Sequence, residues 1–296
     1  MGTPGDDHTS GKLSPQPNRL ELQEPSTLPP EIAESFRRIR VSLEKDSKLL
    51  PGWPEGKREA PNEILRSALF TVKNRNQPRP YLKDVDVVVI GEGRIRYRGE
   101  ELRQDDELVW LHLIHLAKGK PLGQCVEFTP YSFLKDIGWP PSGQSYHRLR
   151  TCIVRMVATA IQISSKRLGL TVAVSMIHRA EFEDPELRLP LKRWRIWVAP
   201  EMQILFGDQA FTLIDLGQRR SLPDGIASKL HSYWSSHRDP FPVKVETLQR
   251  LCGSEMILKH FKAQLVNALG QLLVVGFLRS WEITNNLVAV QRVKDG

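Results

Sequence analysis

Twice along this chain the same order of local signals recurs: a helical pattern, a short apolar run, a short helix, a turn, a longer helix and two β-rich runs. In the first pass Asp105 and Asp106 open a helix with Leu108, Leu111, Leu116 and Ala117 on one side, closed by Gly119 and Pro121. Acidic residues suit the positive end of the helix dipole, and Gly followed by Pro is a stop signal. QCVEF reads as a short strand, and Thr129 caps the short helix PYSFLKDIGW, whose Pro130 sits in a tolerated first-turn position. After the turn PPSG comes QSYHRLRTCIVRMVATAI, a helix with Leu149, Ile153, Val157 and Ile161 in a stripe. Two β-rich runs follow around Lys166, Arg167 and Gly169, and RWRIWVAPEMQILF adds a strand. In the second pass the strand FTLIDL leads to a helix from Gly225 to His237, then the short strand VKV and the short helix VETLQRLCG. Ser254 is expected to cap SEMILKHFKAQLVNALGQLL, and GFLRSWEITNNLVAVQRV forms a hairpin around the turn-favouring pair Asn285-Asn286.

That order predicts an α+β chain of tandem winged-helix domains, each a helix-turn-helix with a β-hairpin wing, after a disordered N-terminal tail. The tail and linker span residues 1–61, with a short helix at 31–50 carrying Ile32, Phe36, Ile39 and Leu43. The first domain spans 62–208 and the second 209–296. Residues 1–30 are rich in Pro, Ser, Thr and Gly, and cannot offset the entropy of ordering. The first domain begins with RSALFTVKN and the hairpin DVDVVVIGEGRIRYRGEEL.

Charge separates along the same boundary. The 296 residues contain 42 Lys and Arg against 34 Asp and Glu, a net +8. Residues 1–62 hold 9 against 10, so the positive excess lies wholly in the part expected to fold. Such an excess attracts polyanions, of which nucleic acid is the commonest in the cytosol. No apolar run is long enough to span a bilayer, and the first residues lack a signal-peptide pattern, so a cytoplasmic location is expected. Cys125, Cys152 and Cys252 are far apart with no C-x-x-C pair, which points to incidental thiols rather than a disulfide framework or a zinc site. There is no phosphate-binding loop, no G-x-S-x-G elbow, and no third glycine after Gly91-Glu92-Gly93. His112 and His115 lack the H-E-x-x-H pattern of a zinc protease. No enzyme activity, cofactor or metal is expected.

A helix-turn-helix sets its second helix in the major groove and reaches base edges with that helix's first residues. Here these are Ser142, Gln144, Ser145, Tyr146, His147, Arg148 and Arg150, with Arg155 a turn further along. Gln pairs with adenine, Arg with guanine, and Ser or Tyr with phosphate. The second half offers Ser254, Glu255, Lys259, His260 and Lys262, and the wings offer Lys166, Arg167 and Arg279. A Lys or Arg on a polar helix face is as often merely solvated, so the weight rests on the two faces rather than on any one residue.

Three strings carry a resemblance to a known family: NEILRSALFTVKNRN at 62–76, YRGEELRQDDELVWLHLIHLA at 97–117 and SSHRDPFPVKVETLQRLCGS at 235–254. They resemble the TrfA family of plasmid replication initiators, with gaps, over about Asn62 to Val293. The resemblance implies double-stranded DNA at origin repeats (iterons) as partner, opening of an adjacent A+T-rich region, and recruitment of the host replicative helicase with the host initiator protein. It also implies copy-number control, with a monomer on DNA and a less active homodimer in solution. A further implied partner is the β sliding clamp, whose bound peptides end in Leu-Phe. Leu69-Phe70, beside the linker and expected to be exposed, is favoured over Gln203-Ile204-Leu205-Phe206 for that role. The alternatives are a winged-helix transcriptional repressor and an RNA-associated basic protein. The latter is disfavoured by 7% aromatic content.

Overall fold

A computed structural model describes residues 53–293, apart from Leu122, Leu168, Pro185, Leu187 and Arg188. The expected helix at 31–50 lies outside the described residues.

In chain order the elements are β1 (Lys57–Pro61), α1 (Asn62–Leu65), β2 (Tyr81–Val87), β3 (Arg94–Glu100), α2 (Gln104–Leu116), β4 (Cys125–Phe128), α3 (Pro130–Asp136) and α4 (Gly143–Val157). Then come β5 (Ala160–Ser165), β6 (Leu170–Val174), β7 (Ile177–Glu183), β8 (Pro190–Val198), a 3-10 helix (Pro200–Gln209), β9 (Phe211–Asp215) and α5 (Leu216–Ser221). The chain continues with α6 (Ile226–Ser235), β10 (Val243–Lys244), α7 (Val245–Leu251), α8 (Leu258–Val274), β11 (Leu278–Thr284) and β12 (Leu287–Arg292).

One topology occurs twice. In the first half α2, β4, α3 and α4 are followed by the antiparallel pair β7–β8, and β4 joins that pair in the order β4-β8-β7. In the second half α6, β10, α7 and α8 lead into β11–β12, in the order β10-β12-β11. Local chemistry places the corners. Thr129 Oγ1 accepts from Ser132 N at 3.2 Å at the start of α3, and Ser142 Oγ accepts from Ser145 N at 3.2 Å at the start of α4. Asn285 and Asn286 both take the left-handed conformation (φ 51° and 63°), which lets two residues close the β11–β12 hairpin.

After α4 the first half carries a hairpin that the second half lacks, and it corrects a sequence expectation. The hairpin β5–β6 around Lys166 and Arg167 follows α4 directly, but it does not occupy the position that β11–β12 holds in the second half. It joins a separate sheet ordered β2-β3-β5-β6. The reason is burial: Ile95 and Tyr97 of β3 face Ile163 and Ile161 of β5 in register, and all four are buried. The hairpin equivalent to β11–β12 is β7–β8.

Residues 53–61, expected to be linker, also belong to the fold. Trp53 is buried and donates Nε1 to His115 Nδ1 at 3.0 Å, and β1 pairs along its length with β9, Lys57 with Asp215 through Pro61 with Phe211. Buried apolar residues form two clusters, one from Trp53 to Leu216 and one from Leu222 to Val290. Residues 66–79 tie them together. Arg66 Nε donates to Ser236 Oγ at 3.0 Å, Val72 N to Cys252 O at 2.9 Å, and Lys73 pairs with Glu255 at 2.6 Å. From the other side Lys229, fully buried on α6, donates to the Ser67 carbonyl at 2.5 Å.

Glu59 on β1 is fully buried, and neither carboxylate oxygen has a hydrogen-bond partner among the described residues. Burial pushes its pKa up to about 8. A raised folded-state carboxyl pKa leaves stability intact below the ordinary carboxyl range and erodes it as pH climbs to about 8. Glu59→Gln should therefore match the native protein near pH 4.5 and exceed it at pH 8 by a few kcal/mol in urea unfolding. Equal stability of the two proteins at both pH values would refute the assignment.

Candidate nucleic-acid interface

The start of α4 displays polar side chains because its apolar stripe, Leu149, Cys152, Ile153 and Met156, is turned into the first core. Ser142, Gln144, His147 and Arg150 are exposed, Ser145 is half-buried, and Tyr146 packs partly against the core. Arg148 lies over the Trp139 ring at 3.7 Å and reaches Asp105 at 3.4 Å and Asp224 at 3.2 Å. Arg150 pairs with Glu183 of β7 at 3.0 Å and lies 5.1 Å from the Phe182 ring.

Arg155, a turn further along the helix and counted among the candidate DNA contacts, is instead buried. It donates Nη1 to Asp106 Oδ1 at 2.5 Å and sits 3.3 Å from Glu100. It belongs to an ion-pair network at the start of α2. Arg79 binds Asp105 through both oxygens at 2.9 and 3.0 Å and Asp106 at 2.6 Å. Burial raises the Asp105 pKa, but the charges of Arg79, Arg148 and Arg155 outweigh it and hold the carboxyl below its ordinary value. Burial and then the Asp105 charge push Asp106 up, against the charges of Arg79 and Arg155. Cys152 lies beside them, with its two neighbours' donor atoms within 4.8 Å, and burial holds its thiol protonated. With guanidinium groups already matching both carboxylates, this cluster reads as an ion-pair network and not as a metal site.

In the second half α8 begins at Leu258, later than expected, with Ile257 as its N-cap. Ser254 Oγ accepts from Met256 N at 3.4 Å within the preceding turn, so Ser254 does not cap the helix, and Glu255 pairs with Lys73. Lys259, His260 and Lys262 are exposed, while Phe261, Leu265, Ala268, Leu269 and Leu272 are buried. Lys262 Nζ reaches Asn286 Oδ1 of the hairpin turn at 3.2 Å, so helix and hairpin present one continuous polar surface. Arg279 is exposed on β11.

Of the expected wing residues in the first half, Lys166 is exposed and paired at 2.9 Å with Glu92, in the β2–β3 turn of the same β2-β3-β5-β6 sheet. Arg167 is tied to Glu63 at 2.7 Å and directed at the carbonyls of Leu205 and Gly207, a structural role. Sequence alternation places Arg193 and Arg195 on the water- or phosphate-facing side of a strand, and they are exposed on β8 with Lys192, reaching Glu127 at 3.6 and 3.2 Å. The alternation KRWRIW was visible, but its place beside β4 was not. The Leu-Phe pairs are corrected too. Leu69 is 3% and Phe70 0% exposed, with Phe70 packed on Trp110, and Leu205 and Phe206 are buried in the 3-10 helix rather than at a strand end. Their apolar area is used by the core.

Among the described residues no helix is long and apolar enough to cross a membrane. A profile of the TrfA protein family matches residues 37–292. The plasmid replication initiator protein TrfA of Escherichia coli is 33% identical over 243 residues, which are 81% of this chain and 63% of that protein. The chain thus spans less than two thirds of that relative's length. Two solved structures share the fold. Domains 2 and 3 of RctB superpose with a TM-score of 0.53 at 13% identity, covering 79% of this chain and 98% of theirs. The Pi initiator protein in complex with iteron DNA gives 0.53 at 12% identity, covering 82% and 100%.

Arg155→Met should cost about 3–5 kcal/mol of unfolding free energy by leaving Asp106 buried without that partner. In duplex-binding titrations of the folded variant the dependence on salt should stay as it was. A flatter dependence would place Arg155 on phosphate after all.

Proposed function

This chain belongs to the TrfA family, and from that premise we propose that it initiates plasmid replication by binding iteron repeats at the origin as a non-enzymatic, duplex-DNA-binding protein. The observation that carries the reading is the repeated topology, in which an exposed, polar helix start sits beside a basic hairpin in each half. Each half is then a winged-helix reading head. α4 and α8 enter successive major grooves, Gln144 and His147 of one and Lys259, His260 and Lys262 of the other facing the DNA. The wings are β7–β8, with Lys192 and Arg193, and β11–β12, with Arg279. The Pi initiator, which shares this fold, was solved with iteron DNA.

Two unlike heads in one chain suit a monomer on a direct repeat. With binding energy as the source of work, opening of an adjacent A+T-rich segment comes from deforming the duplex. Recruitment of the host helicase and initiator protein, and copy control through a less active dimer, complete the proposal. Engagement of the β sliding clamp by Leu69 and Phe70 would require residues 66–72 to leave their seat between the two cores.

Footprinting on the plasmid's own origin tests the reading: evenly spaced direct repeats should be protected, whereas a palindrome covered by a dimer would favour a repressor. Lys259→Ala with Lys262→Ala should weaken duplex binding and lower the salt slope by about one to two. Lys192→Ala with Arg193→Ala should act similarly while Lys166→Ala leaves binding alone. The reverse pattern would return the wing to the β5–β6 hairpin.

A further inference from the structure

A cleft of about 560 Å³ opens between the start of α4, residues 75–79 and α5. Ser142, Gln144 and His147 line one side of it. The arginines on its walls divide into two groups. Arg79 and Arg155 are committed to Asp105 and Asp106, while Arg148, also 3.4 Å from Asp105, and Arg219, also 3.7 Å from Glu107, face the cleft with Arg75, Arg220 and Asp224. The Asp224 carboxylate lies 3.2 Å from Arg148, 3.6 Å from Arg75 and 3.9 Å from Arg219.

We propose that these three arginines form a cradle for a DNA backbone phosphate, which Asp224 fills with its carboxylate until DNA arrives. The proposal rests on the duplex-binding reading above. Arg75 comes from the segment joining the halves, Arg148 from α4 and Arg219 from α5, so the cradle lies where the two reading heads meet. Two of its guanidiniums are held ready. Arg148 is stacked on Trp139, and Arg219, 1% exposed, is anchored by Ser228 Oγ at 2.9 Å. Arg219 Nε has no hydrogen-bond partner among the described residues.

The distances explain why a carboxylate is a partial occupant. At 3.6 and 3.9 Å, Arg75 and Arg219 are too far from Asp224 for direct hydrogen bonds, so only Arg148 is engaged at close range. A phosphodiester spreads its charge over oxygens set tetrahedrally and is matched by several planar guanidinium forks at once. Such a phosphate would lie beside the first residues of α4, where contacts to the backbone set the register of a reading helix. The exchange is direct: the phosphate takes the arginines, and Asp224, on the turn before α6, is released.

The experiment compares the full chain with Asp224→Asn on a random-sequence duplex, so that its outcome does not depend on iteron recognition. Removing the internal anion should tighten binding roughly two- to fivefold at low salt and steepen the salt slope by a fraction of a unit to about one. Unchanged or weaker binding by a folded Asp224→Asn protein overturns the proposal. Arg75→Ala, at a side chain 51% exposed, provides the second variant should the first not fold. It should weaken binding and lower the salt slope by about one, and no change would overturn the cradle. Orthophosphate alone is the last probe: millimolar orthophosphate should compete with the duplex on the native chain and lose that effect in Arg75→Ala, whereas orthophosphate that binds the native chain and leaves its duplex affinity unchanged would assign the site to a free anion, and the assignment to DNA would fail. Failure of the native chain to bind any duplex would instead defeat the functional reading itself.

Discussion

Asp106 sits at the first turn of α2 with no exposure to solvent, and three groups converge on it: the Arg103 amide at 2.8 Å, Arg79 at 2.6 Å and Arg155 at 2.5 Å. Asp105 beside it holds Arg79 and Arg148. Two adjacent carboxylates taken out of water are prohibitive without matching charge, so the arginines are obligatory partners. They come from the segment before β2 and from α4. The orientation of α4 against α2 is thereby tied to ionic geometry as well as to apolar packing, and the polar start of α4 points outward as a consequence.

That constraint sorts residues of one type into different roles. On α4, Arg155 closes the network, Arg148 bridges it to Asp224, and Arg150 stays at the surface beside β7. Five positions along the helix separate the structural guanidinium of Arg155 from the surface one of Arg150, enough to put them on different faces. The bridge through Arg148 and Asp224 links the start of α4 to the turn that opens the second half. Lys229, Arg66 and Lys73 hold the same junction from the other side. The two halves are therefore joined by polar contacts around a cleft, while their apolar cores remain separate.

Elements whose signals are local were legible in sequence. The Thr129 cap and the Asn285-Asn286 turn are set within a few residues, and the structure has them where the sequence suggested. The start of α8 was misplaced because Ser254 offered a cap signal, yet its hydroxyl closes a turn two residues ahead instead. The place of the β5–β6 hairpin was misjudged for a different reason. β5–β6 and β7–β8 are both basic, β-rich runs after the same helix, and only their partners, β3 for one and β4 for the other, tell them apart.

Hydrophobic periodicity, caps and turns, each resting on neighbours along the chain, determined the element order, its repetition and the exposed helix faces of both halves. Strand partnership, the burial of Leu69, Phe70 and Arg155, and the meeting of Arg75, Arg148 and Arg219 around Asp224 were decided only by tertiary structure. Those outcomes depend on charges and apolar faces brought together from positions far apart in the sequence, and a charge's role is set by which opposite charge it meets and how little water remains between them.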